Sequence, residues 1–212
     1  MILLLDTVSP LPEFSLIEDT KIIYSGKIIE NSEQKMSDFI IEKYLFLQNK
    51  FFLSKKLKTL IVTTGPGSYT SLRIGLAFFS GLSISKNISL IGIPCVDLFT
   101  YQLTKNELIS TALFINSSNN QKFICYYDAS KNIHNIHKIE SNKNLLSLNH
   151  SFVNKIISNT KLSKQDLILI QNKKVEKNSF RDLMLKNLNN ILKREQQDII
   201  NPIYISNNQI LN

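Results

Sequence analysis

The segment that most restricts the fold runs from Leu60 to Gly75. A short apolar run, Leu60-Ile61-Val62-Thr63, leads into Thr64-Gly65-Pro66-Gly67-Ser68, and a stretch with one charge, Arg73, follows between Leu72 and Ser85. An apolar run of this length, stopped by glycine and proline, predicts a buried strand. Ser68 or Thr70 then offers a helix cap, so a helix is predicted to about Ser85. Leu76, Phe78, Phe79, Leu82 and Ile84 cover most of its circumference. Small residues recur four apart, at Ser71 and Gly75 and at Ala77 and Gly81. Such spacing lets a second helix approach closely. A strand turning directly into such a helix fits an α/β domain, with helices laid on a sheet.

The flanking pattern agrees. Ile2–Leu5, Phe14–Glu18 and Lys21–Ile29 read as three strands joined by tight turns, which favours antiparallel pairing. Ser32 is the expected cap of a helix over Glu33–Gln48, with Met36, Phe39, Ile40, Tyr44 and Leu47 as its stripe. Ile41 and Leu45 point elsewhere, so this helix is apolar on more than one face. Ile88–Ile93 reads as a strand and Cys95–Leu103 as a helix. The opening order then recurs: strands at Ala112–Ile115, Lys122–Tyr127 and Ile133–Ile139, a helix at Leu145–Ser158, a strand at Leu167–Ile170 and a helix at Phe180–Lys193. The repeated order suggests a duplication, with a first lobe over 1–104 and a second, reduced lobe over 105–212. The extended tail Pro202–Ile205 lies in a stretch, 199–212, expected to pack back on the first lobe.

No apolar run is long enough to cross a membrane, and the start Met1–Asp6 lacks the basic leader of a signal peptide; a cytoplasmic protein is expected. Cys95 and Cys125 each sit in an apolar stretch and read as buried, reduced thiols. The net charge of +8 favours phosphate-rich partners, but the lysines are spread out, with small clusters at Lys55-Lys56-Lys58 and Lys173-Lys174-Lys177, and no basic motif interleaved with aromatics appears. His134 and His137, three apart in an expected strand, point to opposite faces. With His150 they make no zinc or iron ligand set. No Ser-His-Asp arrangement or carboxylate pair stands out, so neither a catalytic residue nor a metal site is assigned.

A glycine loop between strand and helix can cradle an anion. Here no Lys follows as in a phosphate-binding loop, and Thr70 takes the third glycine position of a dinucleotide fingerprint. The whole string is more specific than its glycines. Gly65-Pro66-Gly67-Ser68-Tyr69-Thr70-Ser71-Leu72-Arg73-Ile74-Gly75 resembles the G-P-G-S-[FY]-T-G-x-R-[IV]-G signature of the TsaB/YeaZ family, the dimerisation subunit of the bacterial tRNA threonylcarbamoyladenosine machinery. Ile2–Thr7, Ile91–Pro94 and Pro202–Ile205 resemble further landmarks of that family, in order. The likeness covers most of 1–104 and is faint beyond. Ser71 replaces a usual glycine, and Asn116–Phe123 lacks the acid and arginines of the usual second-lobe segment.

The resemblance implies duplicated actin-like, Hsp70-like (ribonuclease H-like) lobes with mixed sheets. It implies a non-catalytic partner of a TsaD-like transferase, acting with a TsaE-like ATPase on tRNA through the complex, and a homodimer when alone. Met36, Phe39, Ile40, Tyr44 and Leu47, with Tyr69, Thr70, Leu72, Arg73, Leu76 and Phe79, are the expected contact residues. No cofactor is expected in the isolated chain; ATP or ADP would sit at the heterodimer interface, by the loop Gly65, Gly67, Ser68 and Arg73. In an actin-like fold Asp6 either holds a nucleotide's Mg²⁺ or bonds the turn Thr7–Ser9. Pro10 and Pro12, in place of a Gly-rich loop, favour the second. The alternatives are a nucleotide-dependent or glycoprotease-like enzyme acting alone, and a basic tRNA-binding module.

Overall fold

The structure is a computed structural model and describes residues 1–130, 133–139, 153–170, 173–194, 200–205 and 210–211. The first sheet has five strands in the order β3-β2-β1-β4-β5. These are β1 (Ile2–Asp6), β2 (Glu13–Glu18), β3 (Lys21–Lys27), β4 (Thr59–Thr63) and β5 (Ser89–Ile93). β2 pairs antiparallel with β1 and β3, whereas β1, β4 and β5 are parallel.

The second sheet repeats this plan. Its strands are β6 (Thr111–Asn116), β7 (Lys122–Asp128), β8 (Ile133–Lys138), β9 (Lys155–Ser158) and β10 (Lys174–Lys177), with β11 (Ile210–Leu211) added beside β8. β7 pairs antiparallel with β6 and β8, and β6, β9 and β10 are parallel. The same order and directions in both sheets bear out the duplicated α/β architecture.

Helices α1 (Met36–Phe51) and α3 (Tyr69–Lys86) lie on one face of the first sheet, with the short α2 (Leu53–Lys56) between them in sequence. Leu3, Leu5, Phe14, Leu16, Leu60 and Val62 meet them there. On the opposite face, Leu4, Ile17, Ile61, Ile91 and Ile93 pack with α4 (Cys95–Thr100) and with Leu113, Phe123 and Ile136 of the second sheet. Alternate residues of the first-sheet strands thus feed two cores, and the second core spans both lobes. α5 (Lys105–Ser110), capped by a Thr104–Glu107 capping box, joins the lobes.

Four local expectations are corrected. The first helix starts at Met36 without a side-chain cap, because Asn31 Oδ1 accepts the Glu33 and Gln34 N–H groups at 3.1 and 3.3 Å and holds Ser32 in a turn. Lys155–Ser158, expected to end a helix, is β9, bonded beside β6; 153–154 before it are not helical, and the part of that expected helix before 153 lies outside the described residues. Leu167–Ile170, expected as a strand, falls on α6 (Lys164–Leu169) and the turn after it. Ser163 and Asp166 form a capping box that starts α6, a cue present in the sequence. Phe180–Lys193 is two helices, α7 (Phe180–Lys186) and α8 (Leu188–Leu192), broken at Asn187. The Asn187 amide donates to Leu98 O at 3.2 Å and Leu183 O at 2.9 Å.

Among the described residues no helix is long and apolar enough to cross a membrane. Cys95 and Cys125 are free and fully buried, and burial pushes both thiols far above their ordinary values. His137 stacks on Tyr126 and His134 sits against Tyr127, two neighbouring tyrosines on opposite faces of β7. The two histidines are thereby separated by the sheet; His150 lies outside the described residues.

Candidate functional site

The glycine segment leaves β4 where the two lobes meet. Gly65 has φ +113°, and a Cβ there would lie 2.7 Å from the Ile203 carbonyl oxygen. Glycine therefore serves both the turn and the approach of the tail. Farther on, a Cβ at Gly75 would stand 2.3 Å from Thr7 Cγ2. The bare helix face lets α3 settle on the end of β1. That end is stapled to β4: Thr7 N–H donates to Thr63 Oγ1 at 2.9 Å and Thr7 Oγ1 donates to Thr63 O at 2.8 Å.

The loop faces its own chain. Ser68 N–H donates to Ser117 Oγ at 2.9 Å, and the Ser71 and Ser118 hydroxyls bond at 2.9 Å. The tail's Ile203 N–H donates to Thr64 O at 2.7 Å, and Cys95 N–H donates to Gly65 O at 2.8 Å. Gly65, Gly67 and Ser68 are buried. Gly65, Gly67 and Ser68 line the seam between the lobes, and of the four residues expected at a nucleotide only Arg73 faces outward. A recess of about 340 Å³ opens between Lys35–Ser37, Thr70–Ser71 and Ser118–Asn119.

Asp6 is only 2% exposed. Its Oδ1 accepts the N–H groups of Val8 at 2.9 Å and Ser9 at 3.0 Å, the turn-bonding arrangement. Burial pushes its carboxyl above the usual range, partly offset by these bonds. Glu13, its partner on β2, is raised by burial and by the Asp6 charge. Asn159 Nδ2 donates to Ser9 Oγ at 3.4 Å, and Arg181 reaches Ser25 Oγ at 3.3 Å. The lobes are thus tied together by side-chain bonds around Asp6.

The expected contact residues divide in two. Met36, Ile40, Tyr44, Leu47, Leu72, Leu76 and Phe79 are buried in the chain's own cores, so as contact residues they are corrected to packing residues. The sheet takes the stripe that periodicity picked out. Phe39 is half-buried, while Tyr69, Thr70 and Arg73 are exposed. Arg73 Nη1 donates to Tyr69 Oη at 2.6 Å, and the guanidinium lies 5.0 Å from the Tyr69 ring centroid. The tail's Tyr204 ring lies 4.5 Å away from that of Tyr69.

The outward apolar surface lies on the other sides of the same helices. On α1, Ile41 is 58%, Leu45 47% and Phe46 49% exposed. On α3, Ile84 is 81% exposed, Ala77 and Gly81 are exposed, and Ile74, Phe78 and Leu82 are half-buried. A Cβ at Gly81 would meet nothing within 4 Å. The two helices touch through Tyr44 and Phe78, whose rings pack edge-on at 5.5 Å. The second apolar face of α1, carried by Ile41 and Leu45, is the signal that marked this surface in the sequence.

A family model described as TsaD, tRNA N6-adenosine threonylcarbamoyltransferase, matches residues 46–138. No curated protein matches the sequence. YeaZ from Pseudomonas aeruginosa shares the fold, with TM-score 0.59 at 10% identity over 96% of this chain and 99% of that one. The chain therefore has the fold of YeaZ. A structure described as an uncharacterized protein with similarity to peptidase YEAZ from Pseudomonas aeruginosa gives TM-score 0.62 at 12% identity, covering 97% of this chain and 99% of its own. The TsaB/YeaZ resemblance carried by Gly65–Gly75 is borne out by the fold over nearly the whole length and by a TsaD-type match over 46–138. That match runs past the glycine segment into the second lobe, where the sequence likeness had looked faint.

Proposed function

We propose that this YeaZ-like chain is a cytoplasmic, non-catalytic partner subunit of a TsaD-like transferase that attaches a threonylcarbamoyl group to a tRNA adenosine next to the anticodon. The observation that carries the reading is the exposure of Ile41 and Leu45 on α1 and of Ile84, Ala77 and Gly81 on α3, two helices in contact at Tyr44 and Phe78. Isolated apolar side chains on a surface need no explanation, but several on two helices that touch are a candidate docking surface. Ala77 and Gly81 admit a partner helix at short range, and the larger residues beside them supply the buried area.

The non-catalytic role is supported by how the seam is used. Asp6 Oδ1 is taken by two turn amides, and the glycine loop is bonded to Ser117 and the tail. In this reading the same surface pairs two copies when the chain is alone, and a TsaE-like ATPase joins the assembled pair. ATP or ADP is then shared with the partner subunit, and Arg73 is the residue of the glycine segment that meets it.

The test is co-purification with a TsaD-like protein. Ile84→Asp is expected to abolish the complex while the variant keeps its fold. Retained binding would overturn the reading. Leu76→Asp is unsuitable, because Leu76 is in the core and a carboxylate there would unfold the chain.

A further inference from the structure

The positive charge is divided unequally between the lobes. Residues 1–104 hold ten Lys and Arg against nine Asp and Glu, whereas residues 105–212 hold fifteen against eight. Seven of the eight net positive charges therefore belong to the second lobe.

The excess is concentrated over 153–194, which has ten Lys and Arg and only three carboxylates. Each of the three is already bonded to a cation. Asp166 takes Lys122 at 2.5 Å, Glu176 takes Lys155 at 2.6 Å and Asp182 takes Arg181 at 2.9 Å. Lys161, Lys164, Lys174, Lys177 and Lys186 are exposed and form no ion pair among the described residues.

Topology brings these lysines to one border of the molecule, with Lys174 and Lys177 on opposite faces of its outermost strand. β10 is the outermost strand on its side of the second sheet, and Lys174 and Lys177 are its two ends. Lys174 is in register with Lys155 on β9. Lys186, at the end of α7, adds its field to that of Lys155 at Glu176. At the carboxyl end of the same strands Asn178 N–H donates to Ser158 O at 2.9 Å, and the chain from Ser158 continues to Lys161 and Lys164. The described residues of β10 include no aromatic side chain that could stack on a base. The ammonium groups act as point charges, suited to phosphates rather than to base edges.

We infer that the β10 border of the second lobe is a contact surface for the phosphate backbone of a folded RNA. This rests on the reading above, in which the partner complex acts on tRNA, and it gives this subunit a share in holding that substrate. Neutralised phosphates release counterions, so the contact strengthens as salt falls.

The test is fluorescence anisotropy of the full chain with a labelled tRNA transcript over a salt series. Reversing Lys174 and Lys177 to Glu is expected to weaken binding at least tenfold near 0.1 M salt. It should lower the slope of log affinity against log salt by about 1.5, from roughly 0.7–0.9 per phosphate. Lys161→Glu with Lys164→Glu, on the adjoining turn, is the second variant and should act in the same direction. Reversing Lys55 and Lys58 on the first lobe is the control and should change little. An unchanged slope in both second-lobe variants, or an equal loss in the control, would overturn the inference. So would binding to phosphatidylglycerol vesicles that depends on the same lysines while tRNA does not bind. The pull-down of the TsaD-like partner by each variant is a separate measurement, which tells failure of this inference from failure of the subunit reading.

Discussion

Ile84 on α3 gives the cleanest test of the docking surface. Its side chain is 81% exposed, so the folded monomer gains little from it. Fully burying an isoleucine is worth about 1.5–3 kcal/mol, and most of that remains available to a partner. Replacement by Ala keeps one methyl group, so the loss in the complex is roughly 1–2 kcal/mol, or about 5- to 30-fold in affinity. Replacement by Asp adds the desolvation of a charge and should remove binding at micromolar concentrations. Folding stability should move by no more than about 0.5 kcal/mol for Ala, as for other exposed sites. Calorimetric titration against the TsaD-like partner measures the first effect, and urea denaturation of the free chain measures the second. An Asp variant that binds as tightly as the parent would refute the reasoning. So would an Ala variant whose whole loss appears as lost folding stability.

Gly75→Val forces atoms where Thr7 Cγ2 already lies 2.3 Å from a simple Cβ, so α3 must lift off β1. A loss of roughly 1–3 kcal/mol is expected by urea denaturation, and a neutral result would disprove the close approach. Tyr204→Ala removes the ring beside Tyr69 and frees the tail at Thr64. Hydrogen exchange at the Ile203 amide should rise and stability should fall by about 0.5–1.5 kcal/mol, the worth of an aromatic pair; unchanged protection would sink the strap. Asp6→Asn keeps the Oδ1 acceptor for Val8 and Ser9 and removes a buried charge. Because burial raises the folded-state pKa of Asp6 above the unfolded 3.8, its contribution to stability is fully present below 3.8 and is lost as pH rises through the folded value. The Asn variant should therefore be at least as stable as the parent at pH 7 and lose that advantage below pH 3.8. A large loss at pH 7 would show that the ionised carboxylate itself is needed.

The sequence by itself determined the strand–glycine–helix unit, because Gly65, Pro66 and the apolar runs on either side admit few alternatives. It also determined the three-strand openings of both lobes, through short apolar runs cut by turn residues, and the buried state of both cysteines. The capping box at Ser163 and Asp166 was legible as well, but the apolar run Leu167–Ile170 has strand character and masked it. What only the tertiary structure decided was which side of α1 and α3 meets water. Both helices are apolar over more than one face, so periodicity found Met36, Ile40, Tyr44 and Leu47 without saying what covers them. The first sheet lies against that stripe and turns Ile41, Leu45 and Ile84 outward. The closing of the glycine loop was equally out of reach. It depends on Ser117 and Ile203, which lie some 50 and 140 residues away along the chain and are brought to Ser68 and Thr64 only when the two lobes and the tail assemble. Short-range pattern fixes local conformation because backbone sterics and turn chemistry act over a few residues. Burial is a property of the whole packed chain, and the choice of exposed face, on which the proposed docking rests, is settled there.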